Sequence, residues 1–186
     1  MIKSLEKQFR VKDLGELRLV LGMECELIEE TMKMTQVTKI MKSVKCMGLE
    51  GVKPTPTPYN PSIKIGVNEG ESIDPVEYQS IIGSLWYIAR CTRPDIMFIV
   101  SLLAQHQKNP SQEHWGAIKH LVRYLSGTPN CGIVLGVKGE SNELIIAADS
   151  SFADVQQSLY LTTGFCGLIG KNIIAWMLLE PISWIL

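Results

Sequence analysis

With 186 residues, 46% of them apolar and 20% charged, the chain has an ordinary globular balance, enough for one domain or two small ones. Lys plus Arg number 18 against 19 Asp plus Glu, so a net charge of -1 excludes an overall basic footprint, and any nucleic-acid contact must come from a local patch. Five cysteines, odd in number, widely spaced and without a CxxC pair, argue against a disulfide framework and a zinc site, which points to a reducing intracellular setting, cytoplasmic or nuclear.

The first ten residues mix Lys3, Glu6, Lys7 and Arg10 with few apolar ones, so no signal peptide is expected there. Leu19, Leu21, Met23, Cys25 and Leu27 then alternate with polar positions, Glu24 and Glu26 among them, as in a half-buried strand. Glu29, Glu30 and Thr31 turn the chain before Met32 and Met34 alternate again, which predicts a hairpin. Thr35 is the expected N-cap of a helix carrying Val37, Ile40, Met41 and Val44 and stopping at Gly48.

Residues 53–73 hold Pro54, Pro56, Pro58 and Pro61 and predict an extended connector, because proline lacks the N–H that a helix or central strand needs. Asp74, Pro75 and Glu77 open a helix with apolar face Tyr78, Ile81, Ile82, Leu85 and Ile88. Pro94 ends or re-caps it, a second apolar helix runs from Asp95 to about Gln107, and Asn109, Pro110 and Gln112 signal a third that buries Trp115, Ile118, Val122 and Leu125. After Gly127 the pattern shifts to strand-like runs at 132–135, 144–148, 165–169 and 173–176, with a domain boundary expected near 127–130. The apolar end, 173–186, is interrupted by Glu180 and Pro181 and is too short to span a bilayer.

Four blocks in order carry a resemblance. Phe9 to Gly22 reads FRVKDLGELRLVLG, Lys53 to Pro58 reads KPTPTP, Tyr78 to Leu103 reads YQSIIGSLWYIARCTRPDIMFIVSLL, and Asn109 to Thr128 reads NPSQEHWGAIKHLVRYLSGT. They are similar to the segment after the polymerase palm, the connector and the thumb and connection helices of copia-type LTR-retrotransposon Pol polyproteins. The likeness runs from about Phe9 to Trp176.

The resemblance implies an α+β fold. A β-hairpin and thumb-like helix occupy 1–52, the connector 53–73, thumb/connection-like helices 74–128, an incomplete RNase H-like β-sheet 129–176, and a divergent apolar tail 177–186. Ala148-Asp149-Ser150-Ser151-Phe152-Ala153 resembles the family's Ser-Asp-Ala-Asp-Trp-Ala, placing Asp149 at a vestigial catalytic carboxylate, with Ser151 where a second acid would stand. Thr162-Thr163-Gly164-Phe165 resembles the family's Ser-Thr-Ser-Gly-Tyr, and Ile174-Ala175-Trp176 its Ile-Ser-Trp.

The family's reactions, nucleotide addition and RNA strand cleavage, use two Mg²⁺ held by several carboxylates. The resemblance places the polymerase aspartates before Met1 and the remaining RNase H acids beyond Leu186, and it does not make Asp154 a ligand. The expectation is therefore a fragment of a reverse transcriptase/RNase H polyprotein, inactive alone and needing no cofactor. Two rivals are a domesticated module that binds nucleic acid or an intact polymerase, and a nuclease completed in trans.

Other constellations are weaker. His106, His114 and His120 are spaced eight and six apart, which places no pair at i, i+4, so no metal site is expected and partly exposed positions beside Trp115 are. Lys119 and Arg123 share a helical face, and with Lys108 and His120 they are the candidates for a phosphate-backbone contact with an RNA:DNA or DNA duplex. A charged helix face is more often simply solvated. Trp86, Tyr87, Trp115 and Tyr124 read as core aromatics. No small-molecule substrate site is visible.

Overall fold

Alternation near the N-terminus does produce a hairpin. In the computed structural model, which describes residues 9–10, 12, 15–63, 65–138, 143–152 and 161–179, strands β1 (Leu19–Val20), β2 (Met23–Ile28) and β3 (Thr31–Thr35) run antiparallel. Cys25 is buried, whereas Leu19, Leu21 and Leu27 are 66%, 78% and 68% exposed, so the half-buried reading fails for these leucines. Alternation reports a capacity for burial, and what covers a strand is decided elsewhere.

The sheet's fourth strand comes from far along the chain. Strand β4 (Ile133–Leu135) pairs with β3, Ile133 opposite Met34 and Leu135 opposite Met32. The sequence placed this run at the start of the C-terminal sheet; it completes the N-terminal one instead. Gly132 permits the approach, since a Cβ there would lie 2.0 Å from the Met34 carbonyl oxygen.

Helix α1 (Val37–Cys46) buries Ile40, Ser43 and Val44, while Met41 stays exposed. Thr35 is not its cap. It is held in the ladder opposite Glu24, Gln36 takes the cap position without a side-chain cap bond, and Glu24 Oε1 accepts the Thr38 N–H at 2.9 Å. A strand residue thus satisfies one of the open donors of the helix start. The helix ends as expected at Gly48, whose φ of +62 suits glycine.

Residues 53–73 form no helix or strand among those described, as the prolines require. Helix α2 (Pro75–Cys91) begins as read, Asp74 Oδ1 accepting the Val76 N–H at 2.8 Å, and buries Tyr78, Ile82, Leu85, Ile88 and Ala89. The second predicted helix is shorter: a 3-10 turn at Pro94–Ile96 leads into α3 (Met97–Ala104). Helix α4 (Gln112–Gly127) buries Ile118, Leu121, Val122 and Leu125, with Trp115 only partly covered. Together α2, α3 and α4, with Ile40, Val44 and Ile65, make the core.

The second sheet has the order β5 (Leu144–Phe152), β6 (Leu161–Ile169), β7 (Asn172–Leu179), all antiparallel. It is fastened through β7. Trp176 Nε1 donates to the Ala89 carbonyl at 2.9 Å, and Asn172 brackets Val137, accepting its N–H at 2.8 Å and donating to its carbonyl at 3.0 Å. The architecture is α+β with two antiparallel sheets. Among the described residues no helix is long and apolar enough to cross a membrane. The expectations for Asp154, Glu180 and the tail from residue 180 onward fall outside the described residues.

Candidate functional site

Asp149 sits within β5, opposite Gly164, rather than at the strand end where a turn or cap residue would stand. Its carboxylate is exposed, and Oδ1 accepts the Ser150 N–H at 2.9 Å. It lines a hollow of about 400 Å³ whose other walls include Met97, Phe98, Phe165, Trp176 and Met177. Those neighbours supply no second anionic oxygen. Among the described residues, no group of three or more His, Cys, Asp or Glu side chains is placed to hold a metal.

The proposed basic residues divide. Lys119, His120 and Arg123 line one open hollow of about 610 Å³ with Ser62, Ile63 and Glu113, and Lys108 is not part of it. Two of the three also fasten the connector to α4. Arg123 Nε donates to the Lys53 carbonyl at 2.8 Å, and His120 Nε2 lies 2.9 Å from the Thr57 carbonyl. Thr55 closes the clamp by donating its hydroxyl to the His120 carbonyl at 3.1 Å. The prolines that bar regular structure leave backbone carbonyls open, and α4 supplies donors for them. Lys119 is exposed and takes no part in this clamp.

His114 is not partly exposed as expected but 1% accessible. Its Nδ1 accepts the Ser111 N–H at 2.9 Å, so that nitrogen carries no proton and Nε2 donates to the Gly66 carbonyl at 2.9 Å. Ser111 returns the favour, its Oγ accepting the His114 N–H, so a histidine completes a capping box usually closed by Glu or Gln. The His106 ring stacks on it at 4.1 Å. Burial pushes the His114 pKa down, and burial, then the neighbouring His114, push His106 down to about 4. Both rings are neutral near pH 7 and serve as fasteners.

Sequence reasoning missed a buried charged side chain that makes four hydrogen bonds. Arg93, 1% accessible, holds Asp95 through Nε and a second nitrogen at 2.9 and 2.8 Å, and it donates to the carbonyl and hydroxyl of Thr128 at 2.7 and 2.9 Å. Tyr124 donates its hydroxyl to the same Asp95 carboxylate at 2.8 Å. The signal was present: an Arg-Pro-Asp between two apolar helices leaves a charge where the chain is about to be buried. Of the aromatics, Trp86, Trp115 and Tyr124 pack partly on the core. Tyr87 faces outward enough for the Lys39 ammonium to lie 4.3 Å from its ring centre, and it donates its hydroxyl to the Leu21 carbonyl.

These features define an α+β chain whose helical core joins two antiparallel sheets and clamps a proline-rich connector. Its relatives supply the family. The retrovirus-related Pol polyproteins from transposons RE1 and RE2 of Arabidopsis thaliana are 36% and 32% identical over 94% of this chain and 12% of their own lengths. That from transposon TNT 1-94 of Nicotiana tabacum is 30% identical over 93% of this chain and 14% of its own length. The chain belongs to the Pol polyproteins of copia-type retrotransposons, and it spans about an eighth of the length of these relatives. No protein-family model and no solved structure matches it.

Proposed function

We propose that this chain is the end-of-palm, thumb and connection part of such a polyprotein joined to the first strands of an RNase H-like domain, and that alone it catalyses neither polymerisation nor strand cleavage. Asp149, with no second carboxylate beside it among the described residues, carries this reading. Two Mg²⁺ ions flanking a phosphorus need several carboxylates, and Asp149 faces a glycine across the sheet and an apolar hollow beneath. These residues do not fit the metal pair, so no reaction step runs through them. The test is incubation with an RNA:DNA hybrid and Mg²⁺, expected to give no cleavage beyond that of Asp149→Asn. Mg²⁺-dependent turnover that this substitution abolishes would overturn the reading.

The hollow beside α4 favours a second, compatible reading: contact with the backbone of an RNA:DNA or DNA duplex. Lys119 stands exposed at its rim, and Arg123 commits Nε to the connector while its terminal nitrogens remain for a phosphate. Binding of this kind weakens as salt rises, because displaced counterions return. Retention of a labelled duplex should fall with salt, and Lys119→Ala should lower both affinity and salt slope. Salt-independent retention would count against it.

A further inference from the structure

We propose that the buried His114 is the bolt of a proton-operated latch: while neutral it holds a strap, residues 66–72, closed on the start of α4, and on taking up a proton it releases that strap while the helical core stays folded.

The strap runs between two anchors, Ile65, which is buried, and Ile73, which packs on the core. Apolar burial does little for it in between, since Val67 is 72% exposed. Polar contacts to residues 109–110 hold it instead. Asn68 donates its amide to Asn109 Oδ1 at 3.2 Å and to the Pro110 carbonyl at 3.3 Å, and its own carbonyl accepts from Asn109 at 3.3 Å. Ser72 Oγ lies 3.3 Å from the same Pro110 carbonyl, which also accepts the Ile73 N–H at 3.0 Å. A hollow of about 540 Å³ opens between residues 66–71 and the first residues of α4.

His114 bolts the near end. Its Nε2 donates to the Gly66 carbonyl while its Nδ1 accepts the Ser111 N–H, so both nitrogens are engaged and their roles are fixed. A second proton can enter only at Nδ1, where it would face the Ser111 N–H donor to donor. The ring must then turn away, which gives up the Gly66 bond as well and leaves an N–H at the start of α4 without its acceptor.

The surroundings decide how readily this happens. The His106 ring, stacked at 4.1 Å and 23°, is a second site whose charge His114 would feel. Glu113 on α4 favours a charged His114, but it is exposed, and burial outweighs it. Glu69 and Glu71 lie across the hollow on the strap, and Lys108 is on the turn before α4. Helix α2 meets residues 103–107 through the hydroxyl of Tyr78 and the amide of Gln79, neither of them charged in this range. The closed strap thus favours the neutral ring, so the latch is fully shut above the ordinary histidine value of 6.5 and loosens as pH falls below it.

The strap carries its own probes, because Glu69 and Glu71 are cleavage points for a glutamate-specific protease, and Glu26 within β2 reports on the rest of the fold. The whole chain is digested at about pH 7.5 and about pH 5, each rate being divided by that of a synthetic peptide around the same glutamate to remove the protease's own pH dependence. The corrected wild-type rate at Glu69 and Glu71 should rise roughly tenfold at the lower pH, with Glu26 unchanged. His114→Gln can close the capping box without titrating, and its corrected rate should not depend on pH. Nuclear magnetic resonance of the wild type should find Nδ1 of His114 unprotonated at neutral pH and gaining its proton over the range in which cleavage rises. A wild-type rate that does not rise, an equal rise at Glu26, the same rise in His114→Gln, or a proton on Nδ1 at neutral pH would each overturn the proposal.

Discussion

Arg93 and Asp95, two residues apart across Pro94, form a two-pronged ion pair in which the guanidinium is almost wholly enclosed while the carboxylate side chain keeps 38% of its surface. Burial raises the cost of both charges, and each is lowered again by the other. Burial alone would raise the Asp95 pKa, yet the Arg93 hydrogen bond and charge outweigh it and leave Asp95 below its ordinary value. Thr128 accepts two further guanidinium N–H groups and Tyr124 donates to the carboxylate, so the pair ties the junction of α2 and α3 to the last turn of α4.

Removing one partner leaves the other charged group short of bonds, which is why Arg93→Ala is expected to cost on the order of 3 kcal/mol, read as a lower urea midpoint at neutral pH. Arg93→Lys keeps the charge but not the planar fork that reaches Asp95 and Thr128 together, and should fall between. A wild-type midpoint for Arg93→Ala would show that the pair fastens nothing.

The histidine pair gives stability a pH window of its own. Both folded pKa values lie below the ordinary 6.5, His106 at about 4, so the folded state resists protons that the unfolded chain accepts. Their contribution is complete above 6.5 and declines as pH falls toward 4, the His106 share being roughly 2 kcal/mol after discounting for its partial exposure. Asp95, also depressed, adds its loss only below its ordinary value of 3.8. Urea titrations across this range should show the decline, and His106→Phe, which keeps a stacked ring without a titrating nitrogen, should flatten it. An unchanged slope would sink the assignment.

Glu24 is expected to matter as a cap rather than as a surface acid. Its Oε1 receives the Thr38 N–H, and these bonds, working against burial, hold its pKa below the usual carboxylate value. Glu24→Ala should destabilise by about 1 kcal/mol, with Glu24→Gln losing less because an amide oxygen can still accept. Thr35→Ala, at the position the sequence nominates as cap, should leave the Thr38 amide as slow to exchange as in the wild type.

What the sequence could disclose follows the range of the interaction. Asp74 capping α2 and the buried faces of α2 and α4 were legible because helix caps and 3.6-residue periodicity lie within one or two turns. The pairing of β4 with β3 was not, since only a fold can bring Ile133 to Met34. Arg93 and His114 escaped because charge and polarity normally mark surface, and the partners that make their burial tolerable, Thr128 and Gly66, lie 35 and 48 residues away. The shared face of Lys119 and Arg123 was readable, and the carbonyl of Lys53 that occupies Arg123 was not.

That occupied Nε separates two roles that a simple loss of binding would confuse. Lys119→Ala should weaken retention of an RNA:DNA duplex while leaving the urea midpoint within about 0.5 kcal/mol of wild type, as for an exposed surface change. Arg123→Ala should do two things: weaken retention, and release the Lys53 carbonyl so that residues 53–63 become more susceptible to proteolysis. His120→Ala should reproduce the proteolysis through loss of the Thr57 contact, with a smaller effect on duplex binding. If Lys119→Ala also loosens the connector, the lysine belongs to the clamp, and the basic hollow is a fastening of the fold rather than a surface for phosphate.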